Sequence, residues 1–265
     1  MLEETYHRLA ARQESYWWHC ARRLMSGDLL RRHTRAVRGC RCIDLGCGPG
    51  GNLGLLELLD PALIVGVDVS PLALDLARDG RPGAALVRAD ISRDLPFADN
   101  TFDVVTIFNV LYHSWIPSDA AVLAEVRRIL RPGGVALFTE PAFQILSRPM
   151  DELGMARRRY RLGEFKGLCQ SAGLEVVFAS YFTSFGATAL CALKAAAWLG
   201  TRFGARAAPA LYSDTKPLRR TLNRALYGTA WLEAQLISRG VRIPLGTTLV
   251  CLARRSFMTN AARRE

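Results

Sequence analysis

Apolar positions along the chain change their period several times, and those changes predict its elements. Over residues 3–37 apolar and aromatic side chains recur at helical spacing among Arg and Glu. Short β-rich runs then alternate with helical stretches. Strands are predicted at 40–45, 63–68, 84–89, 102–109, 134–140, 174–181 and 246–254, with helices at 50–59, from Pro71 onward, at 118–130 and at 161–172. Pro71 suits the first turn of its helix, and Gly173 suits a helix stop. Arg131-Pro132-Gly133-Gly134 is predicted as the turn into the fifth strand. Alternation of this kind predicts an α/β fold, doubly wound, with helices on both faces of a mainly parallel sheet. About 60 residues separate the last two strands, with helical pattern at 186–203 and 214–238. A structureless loop of that length is uncommon, so this insert is predicted as a helical cap. The expected organisation is a helical lid over 1–39, an α/β core over 40–183, the cap over 184–245, and a last strand with a basic tail over 246–265.

Composition changes this picture in three places. The net charge of +11 is unevenly spread: residues 1–43 and 145–265 are basic, whereas 44–144 hold thirteen acids against seven Arg. Only three of the basic residues are lysines, Lys166, Lys194 and Lys216, so individual arginines are weak evidence for nucleic-acid binding. Seven cysteines without regular spacing suggest no disulfide framework, and no metal-ligand set assembles around Cys40 and Cys42. The start of the chain lacks the basic-then-apolar pattern of a leader, and the run from Phe185 to Gly200 is interrupted by Lys194. A cytoplasmic protein without a transmembrane segment is expected.

The sharpest chemical signal is Asp44-Leu45-Gly46-Cys47-Gly48-Pro49-Gly50-Gly51, between the first predicted strand and its helix. Glycines there permit positive φ and close approach of the backbone to a ligand in the crevice beyond the strand ends. Gly46, Gly48 and Gly51 also satisfy the general dinucleotide fingerprint, so the loop alone does not choose a cofactor. The acids do. Asp68 closes the second strand and suits ribose hydroxyls, and Asp90 closes the third and suits an adenine amine. Asp44 precedes the first glycine, where it would repel a pyrophosphate but favour a cationic ligand.

With these stretches in place the sequence resembles the class I S-adenosylmethionine (SAM)-dependent methyltransferases. The resemblance runs over residues 40–181. It is carried by Cys42-Ile43-Asp44-Leu45-Gly46-Cys47-Gly48-Pro49-Gly50, Val65-Gly66-Val67-Asp68-Val69-Ser70, the run from Leu95 to Val105, Asn109-Val110-Leu111-Tyr112-His113 and Leu130-Arg131-Pro132-Gly133-Gly134. It implies a seven-stranded sheet whose last strand runs antiparallel between the fifth and sixth. It also implies SAM as cofactor, with Asp44, Gly46, Cys47, Gly48 and Gly50 on the methionyl side and Asp68 and Val69 at the ribose. Asp90 and Ile91 would meet the adenine, and Asn109 the sugar–methionine junction.

Outside that core, Tyr16-Trp17-Trp18-His19-Cys20-Ala21-Arg22-Arg23, with Asp151 and Arg158-Arg159-Tyr160, looks like a subfamily bearing Trp-Trp and Arg-Arg near its start. Met150 and Ala156 stand where that subfamily has histidines, so its acceptor is not carried over. His113, at the end of the fourth strand, and His19 are the candidate general bases. Tyr16, Trp17, Trp18, Tyr112, Arg158, Arg159 and Tyr160 are candidate acceptor contacts, and Arg22 or Arg23, with Arg23 preferred, is the candidate partner of a cofactor carboxylate. Serines without a nucleophile-elbow setting argue against hydrolysis. The expected activity is methyl transfer to an O or N atom of a small acceptor, acidic or carrier-bound, in a bacterial biosynthetic pathway. Nucleic-acid or peptide methylation and a non-catalytic SAM-binding regulator are the alternatives.

Overall fold

A computed structural model describes residues 3–34, 38–147, 151, 155–202 and 218–257, with the side chains of 197–202 excepted. Seven strands form one sheet in the order β3-β2-β1-β4-β5-β7-β6. They are β1 (Arg41–Leu45), β2 (Leu63–Asp68), β3 (Ala85–Arg88), β4 (Phe102–Phe108), β5 (Leu130–Pro141), β6 (Leu174–Phe182) and β7 (Thr248–Arg255). The first five pair in parallel, and β7 runs antiparallel between β5 and β6. This is the topology that the resemblance implied.

β1, β4 and β5 are buried on both faces because helices cover both, as a parallel sheet requires. One face carries α5 (Asp119–Ile129) and α6 (Leu162–Ser171), with Val122, Ile129 and Phe165 in its core. The other carries α2 (Trp17–His33), whose Trp17, Ala21, Met25 and Leu29 pack beside Leu53 and Leu56 of the short α3 (Leu53–Glu57). α4 (Pro71–Gly80) has Pro71 in its first turn and is capped by Ser70, whose Oγ accepts from Ala73 N at 3.3 Å. Before α2 lies α1 (Glu3–Arg12), and between β6 and β7 lie α7 (Ser184–Arg202) and α8 (Arg220–Ser238). α8 lies along α2 and buries Ala230, Ala234 and Ile237.

Two expectations change in form. The helix predicted over 50–59 shrinks to five residues, because the glycine loop and Asn52 occupy its first turns. Arg131–Gly134 is not a turn ahead of a strand but a bulge inside β5: Leu130 faces Phe102 while Val135 already faces Val104. Gly133 takes a φ of +82° there, and Arg131 pairs through Nη1 with both oxygens of Asp103 at 3.0 and 2.9 Å. Residues 203–217 of the predicted cap lie outside the described residues.

Candidate active site at the carboxyl ends of β1, β2, β4 and β5

The loop after β1 is tied to β2 by backbone: Gly46 N and Cys47 N donate to Val67 O at 2.8 and 2.9 Å. Gly46 and Gly50 adopt φ of +77° and +82°, which L side chains rarely take. A Cβ on Gly46 would also stand 2.5 Å from a Val110 methyl, so this approach of the two strand-end loops needs glycine. Cys47 is a buried filler whose thiol burial pushes far up, and it carries no nucleophile.

Asp44, at the foot of this loop, is fully buried. Its Oδ1 accepts from Thr106 Oγ1 at 2.7 Å, and its Oδ2 has no partner among the described residues. Burial pushes the carboxyl up to about 6, helped by nearby Asp68 and against the pull of Thr106, Arg22 and the Asn52 side chain. Asp68 Oδ2 accepts from Gly48 N and Oδ1 from Ser70 N, both at 2.9 Å, so it braces the loop and each oxygen keeps a lone pair. Burial raises this carboxyl as well. Asp90 is half-exposed and takes Ser92 N and Oγ on its Oδ1, at 2.9 and 2.7 Å. Ile91 is buried, whereas the Val69 side chain stands in solvent. Asn109 has a φ of +58°, and its N–H donates to Thr139 O at 2.7 Å.

Two features of this side were not read from the sequence. Glu140, near the end of β5, is fully buried and accepts from the backbone N–H groups of Val110, Leu111 and Tyr112 at 3.0–3.3 Å. Burial holds it up to about 8 although three donors pull the other way. An acid at a strand end was the available signal, the one already used for Asp44, Asp68 and Asp90. The second is which side chains of the stretch expected as a lid meet the glycine loop. Tyr6 of α1 is buried beside Asp68 and Ser70, and Gln13 Nε2 donates to Pro49 O at 3.2 Å. Arg81 Nη2 joins Glu14 Oε1 at 3.0 Å. α1 and the turn behind it thus cross the glycine loop.

The preference for Arg23 is corrected. Arg23 is engaged by Gln13 O and Glu14. Arg22 is the buried one: its guanidinium lies 4.6 Å from the Trp18 ring centroid and 5.0 Å from that of Phe108, and its Nη2 donates to Asn52 Oδ1 at 2.8 Å. Burial lowers it to about 10. Helical spacing decides this, since Arg22 shares a face with Trp18 and Met25 whereas Arg23 does not.

The expected acceptor side is built differently. Arg158 pairs with the buried Asp119 and also donates to Tyr160 Oη at 2.6 Å and to Leu111 O at 3.1 Å. Tyr160 is wholly buried and donates to Asp119 Oδ2 at 3.1 Å. Arg159 pairs with Asp151 at 2.7 Å and donates to Ala142 O at 3.2 Å. These three of the seven predicted acceptor contacts are therefore committed to the framework, because a buried charge or hydroxyl needs a partner. Trp17 is also buried, 5.6 Å from the Phe185 ring, and anchors α2 rather than lining a lid. Tyr16 and Trp18 are half-buried. His19 lies 5.0 Å from Trp18, and burial with two neighbouring arginines lowers it to about 3, leaving it neutral and weakly basic. His113 is buried, stacked on Trp115 at 3.8 Å and tilted against Tyr112 at 3.9 Å, and its backbone bridges to that of Ala156. Met150 lies outside the described residues.

Comparison with known proteins finds methyltransferases. Residues 43–138 match the family model described as a methyltransferase domain. The chain is 36% identical over 128 residues to phthiotriol/phenolphthiotriol dimycocerosates methyltransferase 1 of Mycobacterium ulcerans, covering 46% of either chain. It is 32% identical over 144 residues to the fatty-acid O-methyltransferase of Mycolicibacterium smegmatis, covering 53% of this chain and 46% of that one. The chain thus spans about half the length of these curated relatives. Among solved structures, an S-adenosylmethionine-dependent methyltransferase from Mesorhizobium loti superposes with a TM-score of 0.55 at 19% identity, over 85% of this chain and 95% of that one. That likeness concerns the fold.

Proposed function

We propose that this protein, whose residues 43–138 belong to the methyltransferase domain family, is a SAM-dependent methyltransferase acting on an O or N atom of a small-molecule acceptor. The observation that carries the reading is Asp44: a fully buried carboxylate with one unpartnered oxygen, beneath a loop whose Gly46 leaves no room for a side chain. A buried anion with spare accepting capacity suits a ligand bearing an ammonium and a sulfonium, and it opposes a pyrophosphate.

The residues present fit that group. Asp44 would hold the ammonium end, Arg22 the carboxylate, Asp68 the ribose, and Asp90 with Ile91 the adenine, while Asn109 closes the junction by its backbone. SAM supplies a methyl carbon already activated by sulfonium. What remains for the chain is to orient the acceptor in line with that carbon and to exclude water. The roof made by Tyr6 and Gln13 serves the second task. Tyr112 and His113, after β4, are the nearest of the candidate acceptor contacts to this crevice by sequence and topology. His113 is the base we propose for acceptors that arrive protonated. The relatives' names support a small acceptor of either kind, apolar as for fatty acids and phthiotriol dimycocerosates, or acidic and carrier-bound as for trans-aconitate and malonyl-[acyl-carrier protein].

Calorimetry with SAM, S-adenosylhomocysteine and NAD, followed by transfer of labelled methyl to a panel of hydroxylated and carboxylated lipids, tests this reading. Binding of the two sulfur nucleosides without NAD is expected. Tight NAD binding with no response to SAM would overturn it.

A further inference from the structure

The two helices between β6 and β7 carry a surface that methyl transfer does not explain. Residues 184–247 contain nine basic side chains and two acids, and one of those acids, Glu233, is buried and accepts from Ser184 N at 2.9 Å. Seven of the twelve large apolar side chains exposed among the described residues lie between Leu193 and Val241. On α8 one face packs inward through Ala230, Ala234 and Ile237. The other exposes Leu222, Tyr227, Trp231, Leu232 and Leu236, interleaved with Arg220, Arg224 and Arg239. None of these three arginines pairs with an acid among the described residues. No described helix is long and apolar enough to cross a membrane.

This surface adjoins the rim of the crevice. Asn223 of α8 accepts from Trp17 N at 3.1 Å and donates to Ser15 O at 3.0 Å, next to the turn of α2 that carries Trp18 and Arg22. On α7, Lys194 donates to Ile145 O and Ser147 O at 2.8 and 2.7 Å, in the loop that follows β5, and the Ile145 side chain is 74% exposed.

We propose that the outer face of α7 and α8 docks on an anionic lipid bilayer and sets the crevice rim at its surface, so that the acceptor is taken from the lipid phase. The statement about the acceptor rests on the methyltransferase reading; the docking does not. Interleaving decides the partner. Arg heads reach lipid phosphates while Trp and Leu enter the headgroup boundary, and neither feature alone would hold a soluble protein there. A second copy across a two-fold axis would oppose the same arginines to one another. An acidic carrier protein would meet the arginines and leave the leucines without a purpose.

The test is flotation of the full chain with vesicles of phosphatidylglycerol and phosphatidylcholine against vesicles of phosphatidylcholine alone. Binding to the anionic vesicles should be about 10-fold stronger or more and should fall as salt rises. The pair Arg220→Glu with Arg224→Glu, and separately Trp231→Ser with Leu232→Ser, should each reduce it about 10-fold, with circular dichroism and S-adenosylhomocysteine binding unchanged. Several results would overturn the proposal: no vesicle binding, equal binding to both vesicle types, variants that bind like the parent, capture by an acyl carrier protein alone, or a dimer that the Trp231 variant dissolves. Loss of nucleoside binding in the parent chain would count against the methyltransferase reading and leave the docking result standing.

Discussion

The two halves of the crevice rim use buried charge in opposite ways. Beside β1 and β2 the carboxylates keep spare capacity: Asp44 Oδ2 has no partner among the described residues, and Asp68 takes one backbone N–H on each oxygen. Beyond β5 the charges are used up, with Arg158 held by Asp119, Tyr160 and Leu111 and Arg159 held by Asp151 and Ala142. The first half can gain hydrogen bonds from a ligand, whereas in the second most are already spent on the framework. Residue type at a strand end or in a rim loop does not separate these cases, whereas the count of unused lone pairs and donors does.

The largest expected effect lies where the halves join. Glu140→Ala strips three buried backbone N–H groups of their acceptor and should cost about 3–5 kcal/mol of stability in a denaturant titration. A loss under about 1 kcal/mol would mean that water replaces the carboxylate and that the loop after β4 does not depend on it. Arg158→Ala comes next, at about 3 kcal/mol, because Asp119 is left buried and unpaired. Its thermal midpoint should fall while the acceptor KM of the remaining folded enzyme stays unchanged. A stable variant with a raised KM would return Arg158 to the acceptor pocket and break the contrast.

On the other half, Asp68→Ala should weaken S-adenosylhomocysteine by about 1.5–3 kcal/mol in calorimetry, with less effect on folding than Arg158→Ala. The reverse ranking would make Asp68 a brace rather than a ligand contact. Arg22→Ala should weaken the same ligand by about 1–2 kcal/mol, and Arg23→Ala by under about 0.5 kcal/mol, since only Arg22 faces Asn52 and Asp44.

The same contrast carries a pH dependence. Burial raises Asp44 from its ordinary value to about 6, so the folded empty protein binds this proton more tightly than the unfolded chain does. That contribution to stability is complete below the unfolded value, near 4, and declines as pH rises through about 6. An ammonium-bearing ligand favours the ionised form, so its affinity should instead rise across that window, and Asp44→Asn should flatten the rise. Affinity independent of pH between about 5 and 7 would remove Asp44 from the ligand side.

What could be read in the sequence was local or periodic. Strand–turn–helix alternation and the spacing of Asp44, Gly46, Gly48, Asp68 and Asp90 determined the sheet and its cofactor edge, because backbone conformation and strand-end position follow from near neighbours. Partnership did not follow. Arg158 and Asp119 are 39 residues apart, and Trp17 meets Asn223 across 206. No local pattern tells whether a charge will find its counter-charge. The choice between Arg22 and Arg23 needed the helix phase against Phe108, and the role of Glu140 needed β4 and β5 to lie side by side. The residue types were set by the chain itself, and only the packing decided which of them remained free to bind, since hydrogen-bonding capacity spent on the framework is no longer available to a ligand.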